Sequence, residues 1–424
     1  MKWRVTPSSL RGTIIVPPSK SHTIRALLVA VAANGVSTIR RPLTYGDGAS
    51  ALGAARSMGA RVEELNGTIK VTGIAGDYNA GDDIFDMENS GTSTNLFTSI
   101  AALGSRQRTI DGDGSLRLRP VKPLLDALQQ LGAQYTCTAP GRDLPFTIQG
   151  PAKGGTVTVN GRSSQYVSSL LFACPLMPHD SDIVVENLQE VPYIAMTLWW
   201  LDLLGIRYEK KDDYTQFHVY GNQSYRPIDM AIPGDFSSAT FPAVAAALTR
   251  SSITINGIDF SDPQGDKRIF DILASMGMIV EKHDNNAVVS YNGILQGREI
   301  DLNTMPDALP AVAVLGCLAE GSTHIVNVGH ARIKETDRIA VMVQELKKMG
   351  ACIEEEPTGI LIHHSPLHGA QVNGHNDHRV VMALALAGMC ASGETVIDTA
   401  EAAAVTYAGF AEDFAALGAH IIAE

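Results

Sequence analysis

The sequence predicts an α/β protein of two lobes, each assembled from three copies of a βαβαβ-type unit. Three observations carry this prediction. An apolar–Gly–apolar phrase recurs six times, as Met58-Gly59-Ala60, Leu131-Gly132-Ala133, Leu204-Gly205-Ile206, Met276-Gly277-Met278, Met349-Gly350-Ala351 and Leu417-Gly418-Ala419. The glycines at 59, 132, 205, 277, 350 and 418 fall at near-constant intervals, so one unit is repeated through the whole chain. Each glycine follows a helix-period stretch and precedes a β-type run, the pattern of a helix stopped by a C′ glycine and fed directly into a strand.

The elements of a unit follow in order. A β-like run and a polar loop lead into a helix of small residues, as Thr13-Ile14-Ile15-Val16 leads to Ala26-Leu27-Leu28-Val29-Ala30, and Ile300-Asp301-Leu302 to Ala311-Val312-Ala313-Val314-Leu315. A strand comes next, then the helix that ends at the glycine, exemplified by residues 123–131, then a closing strand such as Ala351-Cys352-Ile353-Glu354. The unit therefore reads strand, loop, helix, strand, helix, strand. It is too long for a solenoid repeat of roughly 20–50 residues and suits a small α/β subdomain.

Six units divide naturally into three and three. The expected lobes are residues 1–18 with 229–424, and residues 19–228, with Tyr225-Arg226-Pro227 as one crossover. The strand ahead of Pro17-Pro18 is expected to join the second half. Short crossovers between two lobes imply a cleft, a preferred place for ligands.

Composition narrows the function. Of 424 residues, 45% are hydrophobic and 18% charged, which provides a large core without disulfides or metals. A formal charge of −12 argues against nucleic acid or an anionic membrane as partner. An anionic ligand must therefore be held by local arginines and lysines. Cys137, Cys174, Cys317, Cys352 and Cys390 show no C-x-x-C spacing and mostly lie among apolar neighbours, so buried thiols in a reducing compartment are expected. No secretory h-region or membrane-spanning stretch is read in the sequence, and a cytoplasmic location is expected.

The chemistry belongs in the polar loops that open the first helix of each unit, the least uniform parts of a uniform repeat. They are Pro18-Ser19-Lys20-Ser21-His22-Thr23-Ile24-Arg25, Glu88-Asn89-Ser90-Gly91-Thr92-Ser93, Gly161-Arg162-Ser163-Ser164-Gln165, Gly234-Asp235-Phe236-Ser237-Ser238-Ala239, Met305-Pro306-Asp307-Ala308 and Gly374-His375-Asn376-Asp377-His378-Arg379. Helix capping explains the Ser, Asn and Asp. It does not explain the recurring Lys and Arg. Helix N-termini joined by basic side chains are anion sites, and several of them suit a substrate with more than one phosphate or carboxylate.

Seven motifs then carry a resemblance. Lys20-Ser21-x-x-x-Arg25, Asn89-x-Gly91-Thr92, Arg119-Pro120, Ser163-Ser164-Gln165, Pro306-Asp307-Ala308, Arg332-x-Lys334-Glu335-x-Asp337-Arg338 and Asn376-Asp377-His378-Arg379 stand in an order and spacing similar to those of the 5-enolpyruvylshikimate-3-phosphate synthase family of enolpyruvyl transferases. The resemblance spans essentially the whole chain. It implies that the 5-hydroxyl of shikimate 3-phosphate adds to C2 of phosphoenolpyruvate and that phosphate then leaves, without metal or organic cofactor, in a monomeric enzyme.

By match to the family's motifs, Lys20 lies between the two substrates, Ser21 and Arg25 hold the shikimate carboxylate, and Ser163, Ser164 and Lys334 take its 3-phosphate. Tyr193, Gln165 and Asp307 flank the same substrate. Gly91, Arg119 and Gln165 meet the phosphate of phosphoenolpyruvate, together with Lys20, while Arg338 and Arg379 fork its carboxylate. Lys20, Asp307 and Glu335 are the implied catalytic groups, and His378 orients its neighbours. The residue types fit: arginine forks grip planar carboxylates, a lysine is a compact charge, and proton transfer needs groups tuned apart.

Four positions depart from the family pattern. Asn95 stands where an arginine is usual, Val405 where a lysine is usual, Glu190 where a serine is frequent and His330 where an asparagine is usual. Loss of two cations and gain of a carboxylate admit a second reading, elimination on a shikimate-like acid without phosphoenolpyruvate. The sister transferase acting on UDP-N-acetylglucosamine fits poorly, because its Lys-Asn pair is Lys20-Ser21 here and the loop at 105–120 lacks cysteine.

Overall fold

All six recurrent glycines end a helix with positive φ, from 73° at Gly205 to 108° at Gly418, the region that side chains with a Cβ avoid. In each copy the next residue donates its N–H to the carbonyl five residues back, as Ala60 does to Ala55 and Ala419 to Phe414. This closed turn launches the following strand. In a computed structural model describing residues 1–424, the strands form six separate four-stranded sheets.

Each sheet has the same order. In one, Gly155–Asn160 runs parallel to Ser181–Glu186, which pairs antiparallel with Gln216–Val219, which in turn pairs antiparallel with the edge strand Tyr208–Lys210. The unit thus holds one more strand than the sequence reading gave it. The strand after the glycine folds back as a hairpin, and its return strand fills the middle of the sheet. Asn66-Gly67 shows the cause: both residues have positive φ, as a two-residue turn needs, and they join Arg61–Leu65 to Thr68–Thr72.

Two strands are exchanged at the crossovers. Arg11–Ile15 pairs parallel with Ser252–Asn256, although the helix that follows it, Lys20–Ala32, belongs with the sheet of Val36–Arg40. Reciprocally, Asp229–Ala231 pairs parallel with Val36–Arg40. Lys2–Thr6 is inserted between Thr395–Asp398 and His420–Ala423. The chain accordingly divides into two compact units, Met1–Pro17 with Pro233–Glu424, and Pro18–Ile232.

Within each unit the first helices of the three repeats pack on one another and are buried nearly all round, which their small apolar residues permit. In one unit these are Lys20–Ala32, Gly91–Ala101 and Ser164–Ala173; in the other, Phe236–Leu248, Leu309–Leu318 and His378–Cys390. The second helices bury one face only, as Lys122–Gln130 does with Leu124, Leu125, Ala127 and Leu128. Ser19, Ser90, Ser163, Asp235 and Asp377 cap five of the central helices through their side chains, which places the polar loops at those helix N-termini.

The five cysteines are free thiols. Burial pushes Cys174, Cys317 and Cys390 up to about 12, but Cys352 lies exposed at a strand start, contrary to the expectation from its apolar neighbours. No helix is long and apolar enough to cross a membrane.

Candidate active site

The predicted residues form two groups, one in each unit. In the unit of residues 18–232, the capped first turn of Lys20–Ala32 presents Lys20 and Arg25. The Lys20 ammonium pairs with Asp47 at 3.1 Å, both side chains nearly buried. Asp47 was not singled out from the sequence, since a lone acidic residue after Gly46 carries no motif. Arg25 is 2% exposed and donates to Thr197 Oγ1, Ser21 O and Tyr193 O at 3.1–3.3 Å. All three partners are neutral oxygens, and burial pushes this guanidinium down to about 10. A dehydrated cation bonded only to neutral groups is suited to an incoming carboxylate. Ser21 and Tyr193 thus lie with Arg25, joined through their backbone carbonyls.

A second cluster gathers Gly91, Arg119 and Gln165. Arg119 donates to Asn89 Oδ1 at 2.5 Å, and Asn89 is itself held by Asp113 at 2.7 Å. A Cβ on Gly91 would stand 3.1 Å from Arg119 Nη1, so the missing side chain is what lets the guanidinium lie against the helix start. Asn95, in place of the usual arginine, donates to Gln165 Oε1 at 2.7 Å and to Gly91 O at 2.9 Å, and Gln165 Nε2 donates to Thr92. Asn95 therefore fixes the Gln165 amide rather than adding charge. Gly91→Ala is expected to displace the end of the Arg119 side chain by a few tenths of an ångström. If Arg119 meets the phosphate of phosphoenolpyruvate, as the resemblance implies, the KM for that substrate should rise several-fold with the melting temperature unchanged; an unaltered KM would detach Arg119 from it.

Ser163 caps the helix Ser164–Ala173 by accepting from Gln165 N. Ser164 donates both its N–H, at 3.1 Å, and its hydroxyl, at 2.7 Å, to Glu190 Oε2. Glu190 is 1% exposed and held at φ 54°. A carboxylate of the protein thus occupies donors that the resemblance assigns to a phosphate.

In the other unit, Arg338 opens the helix Arg338–Lys348 and is 1% exposed. Its fork meets three carboxylates: Asp307 at 2.7 Å, Glu335 at 2.6 Å, and Asp377 at 2.7 and 3.2 Å. Burial alone would weaken its charge, but the coulombic pull of Asp377, Glu335 and Asp307 outweighs burial and raises it well above its ordinary value. Asp307 reaches Arg379 with its other oxygen at 2.7 Å, so one carboxylate bridges the two arginines. Asp377 also accepts from Arg379 N–H, capping His378–Cys390. Its role was missed because the motif Asn376-Asp377-His378-Arg379 draws attention to the cation.

Lys334 follows the 3-10 turn Gly329–Ile333, which also carries the buried His330. Arg332 is turned away to Asp337, Glu355 and backbone carbonyls, a structural use. His378 is buried beside Asp377, and Val405 closes the 3-10 segment Ala400–Val405, half-buried. No cluster of three or more His, Cys, Asp or Glu side chains could hold a metal ion.

Residues 5–414 match the family profile of EPSP synthase (3-phosphoshikimate 1-carboxyvinyltransferase). The chain belongs to the EPSP synthase family. It is 47% identical over 421 residues to a 3-phosphoshikimate 1-carboxyvinyltransferase of Acetivibrio thermocellus, covering 99% of both chains, and 40% identical over 421 residues to one of Methanocella arvoryzae, again covering 99% of both. Its fold is similar to EPSP synthase from Acinetobacter baumannii, with a TM-score of 0.83 and 25% identity over the whole of both chains. The enolpyruvyl transferase NikO from Streptomyces tendae shares the fold at a TM-score of 0.81 and 18% identity, covering 99% and 98% of the two chains. As a member of this family the chain is a transferase: it moves the enolpyruvyl group of phosphoenolpyruvate to the 5-hydroxyl of shikimate 3-phosphate and releases phosphate, a step of aromatic amino acid biosynthesis. Elimination on a shikimate-like acid finds no support among these relatives.

Proposed function

We propose a division of labour among the residues for this reaction. Arg25, with Ser21, binds the shikimate carboxylate; its burial among neutral oxygens supports this assignment. Ser163, Ser164, Gln165 and Lys334 receive the 3-phosphate, and Tyr193 flanks the ring. Gly91, Arg119 and Gln165 hold the phosphate of phosphoenolpyruvate, and Arg338 and Arg379 take its carboxylate. Lys20, set by Asp47, serves both substrates.

Addition to C2 requires a proton to leave the 5-hydroxyl and another to reach C3; expulsion of phosphate then returns a proton from C3. Asp307 and Glu335 are the proposed proton carriers, with Lys20 as the compact donor. The observation that carries the reading is the hydrogen-bonded set in which Asp307 and Glu335 both lean on Arg338. A phosphoenolpyruvate carboxylate that takes the fork releases these two groups from a cation, and so raises their basicity when substrate is present.

Six sheets complete within a single chain support a monomer, and five free thiols support a cytoplasmic site. The test is turnover of shikimate 3-phosphate with phosphoenolpyruvate, followed by phosphate release and by NMR of the enol ether, in wild type and in Asp307→Asn and Glu335→Gln. Enol ether from wild type and its loss by orders of magnitude in both variants are expected. Undiminished turnover in either variant would remove that residue from proton transfer.

A further inference from the structure

One buried charged cluster lies outside the groups assigned above. The helix Arg338–Lys348 grips the loop bearing Asp377 and Arg379 at two places. Arg338 and Glu345 are seven residues apart, which puts them on the same face of the helix and about 10 Å apart along its axis. Arg338 Nε holds Asp377 at 2.7 Å. Glu345, wholly buried, accepts the N–H of Asn373 and a ring nitrogen of His375, each at 2.9 Å, and both its oxygens are met by Lys348.

Between these grips the backbone takes a conformation that most residues other than glycine avoid. His375 and Asn376 are consecutive left-handed residues, at φ 53° and 56°, and neither is glycine. Asn376 N–H is caught by Thr399 Oγ1 at 3.2 Å, His375 N–H by Asn373 Oδ1 at 2.6 Å, and Asp377 N–H by Gly374 O at 2.9 Å. Gly374 is pressed on the next helix so closely that a Cβ would lie 2.2 Å from Val381. The turn ends on Asp377, whose carboxylate both caps the helix of Arg379 and aligns Arg338. Replacing a buried charged cluster whole by apolar groups is often neutral for stability, so stability alone does not account for this one.

We propose that Glu345 and His375 are positioning residues for the phosphoenolpyruvate end of the site: together they set the left-handed turn that aims Asp377, and through it Arg338 and Arg379. This rests on the reading that Arg338 and Arg379 bind the phosphoenolpyruvate carboxylate. The experiment measures steady-state kinetics, shikimate 3-phosphate affinity by calorimetry and melting temperature for His375→Ala, His375→Gln, Glu345→Gln and Arg379→Ala. His375→Ala and Glu345→Gln should raise the phosphoenolpyruvate KM about tenfold, with kcat and shikimate 3-phosphate affinity close to wild type, while the melting temperature falls because the buried cluster loses a partner. His375→Gln, whose amide can still donate to Glu345, should recover most of the loss.

An unchanged phosphoenolpyruvate KM in His375→Ala would overturn the proposal. So would a rise matched by an equal loss of shikimate 3-phosphate affinity, or an absence of rescue by glutamine. Arg379→Ala separates the two levels. If it too leaves the KM unaltered, the underlying assignment fails; if it raises the KM while His375→Ala does not, the positioning role alone fails.

Discussion

Arg338→Ala is expected to cost both folding stability and nearly all productive phosphoenolpyruvate binding. The wild-type guanidinium satisfies Asp307, Glu335 and the fully buried Asp377 at once, and its removal takes the shared cation from all three, leaving Asp307 to Arg379. Breaking a buried pair in this way costs about 3–5 kcal/mol. The assigned fork to substrate is lost as well, at roughly 1.5–3 kcal/mol for each charge-assisted hydrogen bond. Two such bonds correspond to a fall of roughly 10²–10⁴ in kcat/KM for phosphoenolpyruvate. Arg338→Lys separates the two effects, because it restores a charge but not the planar fork, so it should regain stability more than affinity. A full-strength phosphoenolpyruvate KM in Arg338→Lys would show that the fork serves only to hold the three carboxylates.

Glu190→Ser is expected to act in the opposite direction and tighten shikimate 3-phosphate. In the wild type, the N–H and hydroxyl of Ser164 are already given to the Glu190 carboxylate. A phosphate arriving at Ser164 must displace that carboxylate or lie against it. Two like charges 4 Å apart repel by about 4 kcal/mol at the effective dielectric of a protein surface, and part of this is relieved if Glu190 swings aside or takes up a proton. A gain of about 1.5–3 kcal/mol is the expected remainder, one to two orders of magnitude in dissociation constant by calorimetry. Glu190→Gln should give a smaller gain, since the amide keeps one acceptor and drops the charge. Weaker binding in both variants would mean that Glu190 is itself a ligand for the substrate, for instance as acceptor from a ring hydroxyl.

What the sequence reveals of this fold is what the backbone decides locally. The six C′ glycines are legible because a left-handed residue at a helix end is needed whatever surrounds it, and all six have the required φ. Asn66-Gly67 is an equally local signal, a hairpin turn, and reading it would have supplied the fourth strand of the first unit. The strand exchange is of another kind. The expectation that the strand ahead of Pro17-Pro18 joins the second half puts Arg11–Ile15 with the right unit, but nothing within Arg11-Gly12-Thr13-Ile14-Ile15 names Ser252–Asn256 as its partner, because that choice depends on which sheet lies at hand.

The candidate site divides along the same line. The cations announced themselves through repeated motifs, whereas their buried partners did not. Asp47 and Glu345 are single acidic residues whose importance lies in what they touch, Lys20 in one case and His375 in the other. Asn95 and Glu190 look from the sequence like lost and misplaced charges. In the fold they are the hydrogen-bond partners of Gln165 and Ser164, residues already assigned to substrate.

The pairing of Lys2–Thr6 between Thr395–Asp398 and His420–Ala423 has a consequence for the order in which the molecule is made. Lys2–Thr6 has no sheet to join until Thr395–Asp398 and His420–Ala423 have been synthesised, at roughly 5–20 residues per second. Everything in residues 18–232, by contrast, finds its partners within that same stretch, the last being Asp229–Ala231. The unit of residues 18–232 can therefore close while later residues are still being made, whereas the other keeps Lys2–Thr6 unpaired until residues 395–423 emerge, with Lys2 and Glu424 then exchanging backbone hydrogen bonds at 2.8 Å.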